Sequence, residues 1–357
     1  MKKLNVAIIG QGRSGKGIHG VYFTSKSNVY YTVKYVVDED EYRRNYALGL
    51  YPDCKVFSDY RELYNCKDID VVINATYSNF HFEITKDLLE HGYNVMVEKP
   101  FARNQFECQT LINTAKKNNV VLAVFQQTFY SPIYFKTKEI IDSGALGKVE
   151  QISIRYNGFS RRWDWQTLQK RLGGGLYNNG PHPIGLGLGF IGFDKETKLI
   201  YSKCACTDLT SGDGDDYAKL LFTAPGKALV DIEVASNDAY SDYAIKVKGS
   251  KGTYVCTQSE YEYTYIVEGE NVVRAACEDT LRKENGDPCW CSETLIKHEE
   301  KGAFDGSPFD VGTSNIYEDL YYAILEGRRM MIYPEIAMQI IGMIEAVHAE
   351  NPLPLKY

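Results

Sequence analysis

The stretch Leu4-Asn5-Val6-Ala7-Ile8-Ile9-Gly10-Gln11-Gly12-Arg13-Ser14-Gly15 decides the fold. Its nearly continuous apolar run, ended by glycine, reads as a strand buried on both faces of a parallel sheet. The three glycines let the chain turn tightly. A helix opening behind them aims backbone N–H groups and the positive end of its dipole at an anion. Gly10, Gly12, Arg13, Ser14 and Gly15 are therefore the expected cradle for a dinucleotide pyrophosphate.

Working outward, β-branched and aromatic runs at 31–37, 70–75, 94–97 and 120–125 read as further strands, with helical stretches at 82–91 and 105–118. Alternating strands and helices predict right-handed βαβ units and an α/β Rossmann domain, a doubly wound parallel sheet. Asp38 ends the second strand, where a carboxylate accepts hydrogen bonds from ribose hydroxyls and repels a 2′-phosphate. NAD is favoured over NADP, although Arg43 and Arg44 keep NADP open and Asp38 has a second reading as a solvated turn residue.

After about residue 128 the character changes. A helix is expected at 133–143, then strands at 149–156, 217–223, 227–236, 243–248 and 253–257, with Pro225-Gly226 and 249–252 as turns. These predict an antiparallel meander in an α+β domain with an open sheet. Residues 258–312 read as loops and short strands, and 317–325 and 334–348 as closing helices. The expected division is 1–128 for the cofactor domain and 129–357 for substrate binding and oligomerisation, with the last helices packing back on the first domain. An open sheet offers a face to a second copy, so a homo-oligomer, dimer or tetramer, is expected.

The 357 residues are 44% hydrophobic with a net charge of −7, enough apolar surface for real cores and no basic field for nucleic acid or anionic membrane. No apolar run is long enough to span a bilayer, and the first residues meet Gly10 where a signal peptide would have its cleavage site; a cytoplasmic location is expected. Nine cysteines show C-x-C but no paired zinc spacing, and with six histidines form no recognisable ligand set; reduced thiols and no metal are expected.

At Val97-Glu98-Lys99-Pro100 the chain resembles the Gfo/Idh/MocA family of oxidoreductases, whose cofactor domain ends a late strand in Glu-Lys-Pro. Residues 74–81 look like the family's loop against the cofactor, and 173–182 like its second-domain site. The resemblance implies that Thr76, Asn79, His81, Glu98 and Lys99 lie at the cofactor, and that Lys99 and His182 carry the chemistry with Asn178 as orienter. The family's Asp-x-Gly-x-His is matched by Asn178-Asn179-Gly180-Pro181-His182. Asn178 thus stands where an acid is usual, and Gly185 stands where a second acid would follow.

These roles have a physical basis. Oxidising a secondary alcohol removes a hydride and a proton; an imidazole can exchange the proton near neutral pH, and an ammonium can stabilise the developing alkoxide. Proline makes a cis Lys99-Pro100 bond accessible. Ser160-Arg161-Arg162-Trp163-Asp164-Trp165-Gln166 is the expected specificity segment: aromatic faces stack on a pyranose while Arg and Asp satisfy its hydroxyls. Arg161, Trp163, Asp164 and Trp165, with Tyr177, Asn178, His182 and Lys99, are the expected substrate contacts, although Trp163 and Trp165 have an equal reading as packing residues. The leading function is NAD-linked hydride transfer to or from a hydroxyl of a sugar, glycoside or cyclitol. Two others stand beside it: glycoside cleavage or epimerisation with NAD recycled in place, and a sugar- or cofactor-sensing regulator without catalysis.

Overall fold

A computed structural model describes residues 2–357. The first sheet takes β1 (Leu4–Ile9), β2 (Tyr31–Val37), β3 (Lys55–Phe57), β4 (Val71–Asn74), β5 (Val95–Val97) and β6 (Leu122–Val124), all parallel, in the order β3-β2-β1-β4-β5-β6. Each residue of β4 and β5 is buried, as an apolar run between two helical layers requires. A π-helical turn (Gly15–His19) runs into α1 (Gly20–Thr24); α2 (Glu41–Leu50), α3 (His81–Glu90) and α4 (Gln105–Asn118) complete the layers. Asn104 caps α4 by accepting from Glu107 N at 2.9 Å, and Asn119 ends it at a positive φ of 52°.

The chain leaves β1 to one side for β2 and to the other for β4. That reversal opens a crevice at the carboxyl ends of β1, β4 and β5, the place where open α/β sheets bind ligands. Gly10, Ala75, Thr76, Glu98 and Lys99 all stand there because each follows one of these strands.

α5 (Pro132–Asp142) leads to a second sheet: β7 (Val149–Asn157), β8 (Lys198–Ala205), β9 (Tyr217–Thr223), β10 (Leu229–Ala235), β11 (Ile245–Gly249), β12 (Gly252–Cys256), β13 (Glu260–Tyr265) and β14 (His298–Ala303). Between β7 and β8 come α6 (Gly175–Asn178) and α7 (Pro181–Phe190); α8 (Pro308–Glu326) and α9 (Pro334–Glu350) follow β14. The order, β14-β13-β12-β11-β7-β10-β9-β8, corrects the expected meander. β7 is inserted between β11 and β10 and pairs parallel with β10, because the chain leaves β7 through α6 and α7, re-enters at the edge strand β8 and returns through β9 to β10. β8 was missed because its apolar residues Leu199-Ile200-Tyr201 are consecutive and mostly exposed at the sheet edge, without the alternation of a half-buried strand.

α7 is buried along its length against β10 and β7. A Cβ built on Gly185 would meet Ile340 Cδ1 at 2.9 Å and the Phe129 ring at 3.0 Å, so the position usually acidic in the family is filled by neighbouring core side chains. α8 and α9 make contacts with elements of the first sheet's layers. Tyr31 Oη donates to the Tyr317 carbonyl at 2.7 Å, and Gln105 N to Glu345 Oε2 at 3.0 Å.

Candidate active site

The glycine loop follows β1 because Gly10 has φ +90° and a Cβ there would stand 2.5 Å from the Ala75 carbonyl oxygen. Gly15 allows the helix to close over the loop: its Cβ would fall 1.8 Å from Gly10 O. Gly12, Arg13 and Ser14 are left lining a cleft of about 870 Å³ that runs along the strand ends to the second domain. A Cβ on Gly12 would find no atom nearer than Arg43 Nη1 at 3.9 Å, so the loop's surface is open to a ligand.

Asp38 is buried beside this loop. Its Oδ2 accepts from Gln11 N at 2.7 Å and its Oδ1 from Asp40 N at 2.9 Å, while Arg43 Nη1 stands 3.6 Å from Oδ2. Asp38 and Arg43 both line the cleft; Arg44 instead donates to the Asp38 and Glu39 carbonyls. The solvated-turn reading of Asp38 therefore fails, since the carboxylate fixes the loop.

At the other end lies Lys99, soon after β5 and joined to Pro100 by a cis bond. Its Nζ donates to the Asn178 carbonyl at 2.8 Å, and its backbone N–H to Glu98 Oε2 at 3.0 Å. Glu98 lies 3.2 Å from His19 Nε2, and His19 Nδ1 lies 2.7 Å from Tyr317 Oη. Burial alone would raise the Glu98 carboxyl, but the adjacent His19, with the charges of Lys99 and His81 adding to it, holds it down at about 2. The Lys99 ammonium is lowered from the usual lysine range by burial, opposed by Glu98 and reinforced by Arg13 and Arg162.

His182 sits in the first turn of α7. Its Nδ1 is 3.4 Å from Thr128 Oγ1, and its ring lies 6.0 Å from that of Tyr156. Burial, and then the charge of Lys99, lower the imidazole to about 3 against a weaker opposing pull from Glu98. The imidazole is neutral at neutral pH. Asn178 does not orient it: its Nδ2 donates to the Gln166 carbonyl at 2.7 Å, and its buried Oδ1 has no partner among the described residues. The short helix α6 turns that side chain toward the 165–167 segment, and only the Asn178 peptide carbonyl serves the site, through Lys99.

Of the specificity segment, Arg162, Asp164, Trp165 and Gln166 line the cleft, with the Arg162 guanidinium bonded to the Asp164 and Gln166 side chains. The Trp165 ring packs edge-on against Tyr77 at 4.9 Å. Arg161 and Trp163 lie outside the cleft's lining, and Trp163 is 79% exposed; alternation along an extended segment turns them to the other side. Tyr177 is a correction as well: its hydroxyl donates to the Arg103 carbonyl at 2.7 Å and its ring packs on His348.

Thr76 lines the cleft, whereas Asn79 and His81 stand behind it. His81 Nδ1 donates to the Pro100 carbonyl at 2.7 Å, bracing the two strand-end loops against each other. Gln127, Asn179 and Phe309 also line the cleft and were not anticipated. Asn179 stands inside the quoted motif without having been given a role, while Gln127, soon after β6, and Phe309, at the start of α8, carry no local mark.

A crevice with a phosphate-sized cradle at one end and a lysine and a histidine at the other, closed by a second domain, defines an NAD(P)-binding oxidoreductase. Sequence comparison agrees. A family model described as oxidoreductase family, NAD-binding Rossmann fold, matches residues 4–126, and one described as GFO/IDH/MocA C-terminal domain matches 134–255. The chain belongs to the Gfo/Idh/MocA family.

Among its relatives, an uncharacterized oxidoreductase of Schizosaccharomyces pombe is 24% identical over 71% of this chain and 70% of its own length. A 2,7-anhydro-N-acetylneuraminate hydratase of Mediterraneibacter gnavus is 26% identical over 61% of this chain and 59% of its own. A scyllo-inositol 2-dehydrogenase (NADP(+)) of Bacillus subtilis is 26% identical over 54% and 53%. The matched stretches thus span from about half to seven tenths of these relatives. The same fold occurs in a 3-ketoreductase of Actinomadura kijaniata solved with NADP and TDP-benzene: TM-score 0.78, 15% identity, 98% of each chain covered. No helix among the described residues is long and apolar enough to cross a membrane.

Proposed function

We propose that the protein exchanges a hydride between NAD and a hydroxyl-bearing carbon of a sugar, glycoside or cyclitol. The observation that carries this reading is the placement of Lys99 and His182 on one cleft with the Gly12–Ser14 loop. The open surface of Gly12 and the buried Asp38 carboxylate fit a dinucleotide, whose nicotinamide, when bound, supplies the hydride chemistry. Gly10, Gly12, Arg13 and Ser14 hold the phosphates, and Asp38 faces the adenosine ribose.

The surroundings divide the proton chemistry between the two residues. An imidazole held near 3 beside an ammonium is a poor base at neutral pH, so His182 accepts a hydrogen bond from the reacting hydroxyl and orients it. Lys99, its ammonium lowered from the usual lysine range chiefly by burial, exchanges the proton and stabilises oxyanion charge. Arg162, Asp164 and Trp165 offer the ion pair and aromatic edge that bind polyhydroxylated rings, and the named relatives acting on an inositol and an anhydro sugar favour the same substrate class. The outer face of the second sheet is the surface through which copies associate.

The experiment is to incubate the protein with NAD and a panel of sugars, inositols and glycosides, following reduced nicotinamide. Turnover supports the reading. Glycoside cleavage without net reduced cofactor identifies the recycling mechanism instead, and cofactor binding with no turnover of any kind identifies a sensor.

A further inference from the structure

Two side chains of the β8–β9 region and one from the last helix meet behind the turn that carries Asn178. Cys204 on β8, Asp215 in the loop before β9 and His348 near the end of α9 each bring one ligand atom within 4.8 Å of the other two. His348 Nε2 is 3.2 Å from Asp215 Oδ1. Asp215 is only 3% exposed and Cys204 8%, with His348 half-buried over them. Because 133 residues separate Asp215 from His348, no spacing motif reveals the group, and the expectation of no metal ligands is revised.

We propose that Cys204, Asp215 and His348 bind one divalent late first-row transition ion, with zinc the best match, at a site separate from the cleft. A thiolate, a carboxylate and an imidazole suit a borderline cation; magnesium and calcium take oxygen ligands. Two atoms 3.2 Å apart, each about 2.0–2.1 Å from zinc, subtend an angle of about 100° at the ion, close to tetrahedral. A sulfur bonded at about 2.3 Å belongs roughly 3.5 Å from each of them, so from separations within 4.8 Å the third bond closes with a relative shift of at most about 1.3 Å shared between the side chains. Binding replaces the Cys204 thiol proton, which leaves to solvent, and a water completes the coordination.

Asp215 is already oriented for this. Its Oδ2 accepts from Leu176 N at 2.7 Å, leaving Oδ1 toward His348, and its peptide carbonyl accepts from Gly175 N. The ion would therefore clamp β8 and α9 to α6, whose last residue presents its carbonyl to Lys99. The role is structural.

The full chain, dialysed against a chelator, is titrated with Co²⁺ and then Zn²⁺. The expected result is about one equivalent of Co²⁺ bound with a sulfur-to-cobalt charge-transfer band, displacement by Zn²⁺, and a rise in Tm on metal addition. Cys204→Ser and His348→Ala should each abolish the band. His348→Ala removes a half-buried side chain and should still fold by circular dichroism. Cys277, Cys289 and Cys291, on the excursion between β13 and β14, are the competing thiols, and replacing all three by Ser should leave the band intact. No saturable binding below about 10 µM metal overturns the proposal. So does a band that survives Cys204→Ser or His348→Ala, or one that disappears with the triple replacement.

Discussion

The ammonium of Lys99 and the peptide carbonyl of Asn178 lie 2.8 Å apart, joining residues 79 positions distant across the cleft. The contact fixes the cation that the proposed chemistry needs, and it depends on the turn held by the Asn178 side chain and Gln166. Asn178→Ala should lower kcat about 10-fold and shift the alkaline limb of the pH–rate profile, because the Lys99 environment changes, with little change in NAD affinity. An unchanged profile would leave Asn178 without a positioning role.

Acid lability should follow from two groups of the same sign. The folded value of about 3 for His182 lies below its unfolded value of about 6.5, so the unfolded chain binds the extra proton between them. The resulting stability is complete above about pH 6.5 and is lost as pH falls toward 3. Glu98, held at about 2, contributes stability that is present above its ordinary carboxylate value and lost as pH falls through the folded one. His182→Gln should therefore flatten the dependence of Tm on pH between about 6.5 and 5, leaving the steeper loss below pH 4. A wild-type slope in the variant at pH 5–6.5 would contradict this.

Cofactor choice is proposed to rest on Asp38 against Arg43. Removing a charged hydrogen-bond acceptor costs about 1.5–3 kcal/mol, so Asp38→Ala should weaken NAD binding roughly 10- to 100-fold, measured by calorimetry, and narrow the preference over NADP. Arg43→Ala should spare NAD and weaken NADP. A wild-type protein that binds NADP more tightly would reverse the assignment, making Arg43, 3.6 Å from Asp38, the phosphate ligand.

Gly185→Asp restores the family's residue type but places a carboxylate between Ile340 and Phe129. Overpacking costs about 1–3 kcal/mol before the burial of charge is added. Denaturant unfolding should show at least that loss; a neutral substitution would mean that α7 can move away from α9.

Five strands of the first sheet were legible, β1, β4, β5 and β6 as short apolar runs buried on both faces and β2 as a β-branched and aromatic run, whereas the three-residue edge strand β3, exposed or half-buried throughout, was not. The loop was legible because Gly10 and Gly15 answer to backbone geometry alone. Lys99 and His182 stood out through short motifs, and both reached the cleft. Arg161, Trp163 and Tyr177 did not, since alternation in an irregular segment cannot be phased from composition. The second sheet's order escaped because the position of β7 is decided by a crossover, and β8 because its apolar residues do not alternate along an exposed edge. Thr128 beside His182, and Gln166 beside Asn178, come from tertiary approach that no local spacing encodes.

Deuterium transfer tests the central claim most directly. A substrate found in the panel, labelled at the reacting carbon, is mixed with NAD and protein in excess, for wild type, Lys99→Met and His182→Gln, with NAD affinity measured alongside. Label should appear on the nicotinamide with wild type. It should arrive about 10²-fold or more slowly with each variant while NAD binding changes by no more than about threefold. Label transfer at the wild-type rate in both variants, or no transfer from any member of the panel, would contradict the account.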